Sequence, residues 1–357
     1  MKKTVSIILI LALFSLVLAG CNSGSSPDGD PGTAINDIKN QTDSLEPLVI
    51  RYTASSAPPP GTPSAQMQKK FIELVETKSG GTIKVDFLPG GSVVSTEREF
   101  VEAMQLGTID IGTCSDMGID SVIGGLGWAW LPYMITTYED ADKYYFNGWM
   151  NKEIERIMGE KGLVKIANIE NDFRIVGNSK HPILTLEDLK GMKIRVPEIP
   201  ELLRFYELSG ALSVAIAASE TLTALKQKTI DGIDNSVINL EALGTLSSIK
   251  YLTSLNHMYS AGSWIVNPNF WNNLTDEQRA ILTECCKEAG DLHIKLAREA
   301  SAKLLGSEGE AKYGYEVSSV PDELDAELKK VARQVWEEYS PNYDPAMMKK
   351  VMETFGN

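Results

Sequence analysis

The chain has 357 residues, 43% hydrophobic and 23% charged, with 34 Lys and Arg against 48 Asp and Glu for a net charge of −14. This excludes intrinsic disorder, collagen-like repeats and a disulfide-dense miniprotein, and the length suggests two domains with ample apolar residues for their cores. The acidic balance argues against a nucleic-acid partner, because phosphate binding needs a surplus of Lys and Arg.

Met1-Lys2-Lys3, an apolar run from Val5 to Leu18 and then Ala19-Gly20-Cys21 read as a signal peptide over residues 1–20. The run is shorter than the ~20 residues of a spanning helix. The small residues before Cys21 resemble the bacterial lipobox, which makes Cys21 a lipidation site; the alternative is an ordinary signal peptide with a chance cysteine. Cleavage removes two lysines and no acids, leaving 32 bases against 48 acids, a charge of −16. Residues 21–46, rich in Ser, Gly, Asp and Pro, then form a flexible tether with an end-to-end distance of about 25–30 Å. The other cysteines, Cys114, Cys285 and Cys286, do not make a disulfide framework. Packed free thiols are expected, with a single Cys114 bridge as the alternative.

The body alternates. Leu48–Thr53 reads as a strand, Ser64–Lys78 as a helix with Met67, Phe71, Leu74 and Val75 at helical spacing, and Ile83–Leu88 as a half-buried strand. Helix returns at Thr96–Leu106 and strand at Ile109–Gly112, a rhythm that predicts a mostly parallel sheet with helices on its faces. In the second half, Thr185-Leu-Glu-Asp188 forms a capping box, Lys193–Val196, Leu212–Ala215 and Gly232–Asn235 read as strands, and Glu201–Leu208, Ser219–Lys226 and Val237–Thr245 as helices. A second box, Thr275-Asp-Glu-Gln278, opens a helix reaching about Leu305, roughly 45 Å long and able to lie across two domains. Amphipathic patterns at Glu323–Trp336 and Pro345–Phe355 close the chain.

No Gly-x-Ser-x-Gly elbow, phosphate loop or His-Glu-x-x-His occurs. His181, His257 and His293 lack ligand spacing and read as surface or packing residues, and Asp116 and Asp120 as solvated charge. No metal, cofactor or catalytic group is expected. An exported two-domain α/β body of this kind suggests capture of a small molecule in a cleft. Arg195 is placed for it: Pro197 blocks continuation of the Lys193–Val196 strand, so the guanidinium projects where strand becomes loop, the end that faces the cleft in a parallel sheet. Its planar fork of donors matches a carboxylate with two parallel hydrogen bonds, and a surface ion pair is the competing role.

The run Asp188-Leu-Lys-Gly-Met-Lys-Ile-Arg195-Val-Pro197-Glu198, then Leu208-Ser-Gly210-Ala, Ala224-Leu225 and Asp231-Gly232-Ile-Asp234-Asn235 resembles the signature of the extracytoplasmic solute receptors of tripartite ATP-independent periplasmic (TRAP) transporters. Leu88-Pro-Gly-Gly-Ser, Leu106-Gly-Thr-Ile-Asp110, Leu131-Pro132-Tyr133 and Val266-Asn-Pro-Asn-Phe-Trp271 extend the likeness over nearly all of 48–350. The resemblance implies an α/β, two-domain periplasmic-binding-protein-like fold of type II, with mostly parallel sheets and a long helix spanning both domains. Domain I would be 47–172 plus 261–300, and domain II 173–260 plus 301–357.

It also implies a role for each matching residue. Arg195 takes the ligand carboxylate; Asn235 bonds a ligand oxygen; Arg174 is a second ligand arginine or else an interdomain ion pair; Ser55 (or Ser56) and Ser115 face the cleft from the first domain. Glu198 stands where sialic acid receptors of the family have Asn and favours a hydroxyl or amine. Ala217-Ala218 replaces a frequent aromatic and enlarges the pocket, and Trp128 and Trp130 stack on ligand or fill the core. The implied protein is a monomeric, non-enzymatic receptor, lipid-anchored at Cys21 on the outer face of the cytoplasmic membrane. It hands an organic carboxylate to the small and large TRAP membrane subunits. A receptor of an ATP-driven importer is the alternative and an exported hydrolase a remote one.

Overall fold

The structure is a computed structural model that describes residues 47–356; the signal-peptide, tether and Cys21 expectations lie outside them. Eleven strands form two sheets among the described residues. β1 (Leu48–Ala54), β2 (Ile83–Phe87), β3 (Ile111–Ser115), β4 (Val164–Phe173) and β10 (Tyr259–Val266) make a five-stranded sheet in the order β2-β1-β3-β10-β4. β5 (Ile175–Asn178), β6 (Lys193–Val196), β7 (Leu212–Ala215), β8 (Gly232–Asn235), β9 (Tyr251–Ser254) and β11 (Glu316–Ser319) make a six-stranded sheet, β11-β9-β5-β8-β6-β7.

Five of the nine pairings are parallel and four antiparallel, so the sheets are mixed with a parallel majority. The antiparallel pairings involve the strands that carry the chain between sheets. It leaves the first sheet after Phe173 and joins the second at Ile175, with Arg174 between, and returns through 255–258. A non-glycine residue in the left-handed region stands at each of these two crossings, Asp172 (φ 70°) next to the end of β4 and Asn256 (φ 47°) between β9 and β10, and the chain crosses a third time through the long helix between β10 and β11. The first two crossings are tied together, since Arg174 N–H donates to Met258 O at 2.8 Å and Ser260 Oγ to Asp172 O at 3.2 Å.

Local chemistry sets the helix starts. Thr62 caps Pro63–Lys78 by accepting from Ala65 N–H, Thr96 caps Glu97–Leu106 through Glu99 N–H, and Ser115 caps Asp116–Ile123 through Gly118 N–H. The predicted box at Thr275 opens a helix over Asp276–Leu304, about 44 Å long. Its Leu282, Cys285, Cys286 and Ala289 fill the core under the first sheet, and its Ala297 and Leu304 the core under the second. A Cβ at its Gly290 would stand 2.3 Å from Asn168 O, so only glycine lets the helix lie this close to β4. The Asp322–Tyr339 helix contributes Leu324, Leu328, Ala332, Val335 and Trp336 to a third core, and Trp336 Nε1 donates to Pro132 O at 2.8 Å. Cys114, Cys285 and Cys286 are buried free thiols. None of the described helices is long and apolar enough to cross a membrane.

Asp116 departs from the expectation of solvated charge. It is fully buried under Ser263 Oγ (2.5 Å) and Tyr145 OH (2.8 Å), and burial raises its pKa despite Lys165 and those two donors. Asp120 is mostly buried too; burial lifts it to about 6 although Leu126 N–H donates to it.

Candidate ligand-binding cleft

A cavity of about 530 Å³ lies among the strand ends of the two sheets, within the range that holds small organic ligands. Ser55 follows the last residue of β1, Ser115 ends β3, Arg195 is the penultimate residue of β6 and Asn235 ends β8. β1 runs parallel to β3 and β6 parallel to β8, so all four sit at the carboxyl ends of parallel strands, the edge at which open α/β sheets bind ligands. Arg174, at the crossing, and Glu198, past Pro197, also line the cavity, as do Ser56 and the Ala217-Ala218 pair.

Arg195 carries the chemistry. Only 4% of it is exposed, and its Nε donates to Ile216 O at 2.9 Å. Among the described residues it makes no ion pair, so a buried positive charge has its two Nη nitrogens left for a ligand. Burial, then the neighbouring Arg174, lowers its pKa to about 10, with Asp234 and Glu97 opposing. It therefore stays a cation at neutral pH, and an uncompensated buried cation favours the entry of an anion.

Arg174 is differently employed. Its Nε donates to Asp234 Oδ1 and its Nη2 to Asp234 O at 2.8 Å, leaving Nη1 4.0 Å from Met117 Sδ. Asp234 is fully buried, accepts from Tyr206 OH at 2.6 Å and has His257 Nε2 2.9 Å away. Burial alone would raise this carboxyl, but Arg174, His257 and Tyr206 outweigh it and hold it at about 2. The pair is close to neutral as a unit, which leaves Arg195 as the unpaid charge of the cleft.

Asn235 Oδ1 accepts from Ser236 N–H at 2.9 Å and from Asn239 Nδ2 at 3.4 Å, and its own amide hydrogens find no partner among the described residues. Ser115 uses its Oγ as the helix cap (Gly118 N–H, 2.9 Å) and its N–H on Glu97 Oε1 at 3.3 Å. Ser55 N–H donates to Thr113 O at 3.0 Å. Trp128 is the exception among the predicted residues: it is 1% exposed and stacks on Trp149 at 5.5 Å in the core, outside the cavity lining. Trp130 is buried in the same core. Their apolar bulk is spent on packing the Gly127–Trp130 turn, not on ligand.

Several cavity residues escaped the sequence reading. Glu97, in the first turn after Thr96, enters the cavity because Gly118 leaves room: a Cβ there would lie 2.5 Å from Glu97 Oε2. Asn171 lines it with its Nδ2 on Ala261 O at 3.1 Å. Ser64 and Gln68 line it from the Pro63–Lys78 helix, one turn apart, and Ser64 Oγ lies 3.1 Å from His293 Nε2. The polar positions at i and i+4 beside the apolar stripe carried that signal; His293 could not be found without the long helix's path.

The profile of the DctP family, the bacterial extracellular solute-binding proteins of family 7, matches residues 54–342. The C4-dicarboxylate-binding protein DctB of Bacillus subtilis is 28% identical over 294 residues, 82% of this chain and 83% of that protein. The sugar acid binding protein DctPAm of Advenella mimigardefordensis, solved with galactonate, superposes with a TM-score of 0.80 at 22% identity over 88% of this chain and 99% of that one. A TRAP periplasmic solute-binding protein from Ochrobactrum anthropi, its C-terminus bound in the ligand-binding pocket, gives 0.76 at 26% identity over 88% and 96%. With strand ends, a two-sheet cleft and a profile match over most of its length, the chain belongs to the DctP family of bacterial extracellular solute-binding proteins and is a solute receptor of the TRAP type.

Proposed function

We propose that this receptor captures a hydroxylated monocarboxylic acid between its two lobes and delivers it to the small and large membrane subunits of a TRAP permease. The observation that carries this reading is the buried Arg195 guanidinium without an anionic partner. One carboxylate satisfies it with two charge-assisted hydrogen bonds. The remainder of the cavity favours hydroxyls, since Glu97 and Glu198 are acceptors and Asn235 offers its amide hydrogens. The two acids also oppose a second carboxylate. The bound sugar acid of the Advenella protein supports this class.

The lobes are 47–172 with 261–300 and 173–260 with 301–357; the crossings at Arg174 and at 255–258 fall within one or two residues of two of these bounds and support the division there. A ligand held by residues of both lobes binds the closed arrangement better, and that difference drives closure. The protein acts outside the cytoplasm as a monomer, lipid-anchored through Cys21, and catalyses no reaction. The contact between Ser64 and His293 supports the last point, because the imidazole nitrogen facing the hydroxyl is the one that carries the proton, as derived below.

A thermal-shift and calorimetric panel of galactonate, glucuronate, pantoate and succinate tests the reading. A hydroxylated monocarboxylate at a hundredfold excess over its Kd stabilises the protein by about 2.7 kcal/mol. Tight binding of succinate with no response to the hydroxy acids would favour a C4-dicarboxylate, as for the Bacillus relative, with Arg98 at the rim as the second cation. No response to any acid would refute capture of a carboxylate.

A further inference from the structure

Resting on the carboxylate reading above, we infer that Ser64 is a specificity residue whose hydroxyl is fixed as a donor into the cleft by His293, and that Ser64 and Gln68 together hold a neutral oxygen of the ligand, a hydroxyl or a carbonyl, against the first lobe.

Glu170 N–H lies 3.3 Å from His293 Nδ1. An amide N–H only donates, so Nδ1 presents its lone pair and the hydrogen of the neutral ring sits on Nε2. The ring is neutral: His293 is 2% exposed and burial lowers its pKa to about 4. Nε2 lies 3.1 Å from Ser64 Oγ, so the imidazole donates and the serine accepts. A hydroxyl has one hydrogen, and with His293 occupying a lone pair, that hydrogen points away from the ring, on the side where Ser64 lines the cavity. The same tautomer leaves no base to take the Ser64 proton, so the pair is a positioned donor, not a catalytic dyad.

Gln68 supplies an independent observation. It is 8% exposed and lines the same cavity, and its side-chain amide has no hydrogen-bond partner among the described residues. Thr62 and Pro63 anchor the helix start, and the spacing of four residues puts Ser64 and Gln68 on one face. An apolar ligand group opposite them would leave a buried amide unpaired, which is unfavourable. A second carboxylate is opposed by Glu97 in the same lobe. A neutral oxygen meets both conditions, accepting from Ser64 and exchanging hydrogen bonds with the Gln68 amide.

Calorimetry of the purified protein with galactonate, glucuronate, galacturonate and pantoate tests this, in Ser64→Ala, Ser64→Thr, Gln68→Leu and Arg195→Ala. For an acid the wild type binds, Ser64→Ala and Gln68→Leu each weaken affinity about three- to tenfold, and Ser64→Thr, which keeps the hydroxyl, recovers most of the loss. A long-range proton–nitrogen NMR spectrum shows the His293 hydrogen on Nε2. Unchanged affinity in both Ser64→Ala and Gln68→Leu, or a hydrogen on Nδ1, overturns the inference. Wild-type affinity in Arg195→Ala overturns instead the carboxylate anchor on which it rests.

Discussion

Replacing Asp234 by Asn keeps the shape of the side chain and removes its charge, which isolates the ion pair with Arg174. In the native protein Asp234 accepts from Arg174 Nε and Tyr206 OH with no exposure to solvent. The variant leaves Arg174, itself 4% exposed, as a second uncompensated cation near Arg195. Breaking a buried pair from one side costs about 3–5 kcal/mol. The acid limb of the stability curve gives a second magnitude. The folded pKa of about 2 lies below the ordinary 3.8, so this stabilisation is present above pH 3.8 and is lost as pH falls through about 2. Between the two values the wild type loses about 2 kcal/mol that the variant never had. Denaturant unfolding at pH 7 and at pH 2.5–4 measures both. The extra positive charge also makes an anionic ligand stabilise the variant more than the wild type. A loss below 1 kcal/mol at pH 7, or an unaltered acid limb, would refute the assignment of Asp234 as the counterion of Arg174.

His293 predicts a further pH dependence. Its folded pKa of about 4 lies below the ordinary 6.5, so its contribution is complete above pH 6.5 and declines by about 3 kcal/mol as pH falls toward 4. Glu170 and Asp120, which burial first of all holds up at about 7 and about 6, act in the opposite direction, so the difference between wild type and His293→Gln, followed by denaturant unfolding, reports the histidine. Gly290→Ala forces a Cβ toward Asn168 O and lowers stability by about 1–3 kcal/mol or more in thermal unfolding. Trp128→Ala opens a cavity in the core and costs about 3–5 kcal/mol, while calorimetry well below the melting temperature finds ligand affinity within about twofold of wild type.

Much of the fold could be read from local rules. The capping Thr at 62, 96 and 275, the glycine stop at Gly107 and the Arg195-Val-Pro197 break are short-range devices, and each element they bound was anticipated to within a residue or two. β4 and β10 were not anticipated. All eight residues of β10 are buried, which erases the alternation that marks a half-exposed strand. The site divides the same way. Arg195 and Asn235 lie at strand ends that their own sequence defines. Ser64 and Gln68 show in the sequence only as polar positions four apart beside an apolar stripe, and Glu97 joins them only when the Pro63–Lys78 and Glu97–Leu106 helices come to the same cavity. Trp128 and Asp116 show the converse: aromatic bulk and a carboxylate look available in the chain and are consumed by the core, the one against Trp149 and the other under Tyr145 and Ser263.

The central claim is that the unpaired Arg195 guanidinium anchors a ligand carboxylate. The most direct test is isothermal calorimetry of wild type and Arg195→Ala against the organic acid that binds the wild type most tightly. The account predicts a loss of about 2–5 kcal/mol in the variant, the cost of removing one partner of a buried charged pair. Affinity within a factor of two of wild type would contradict it.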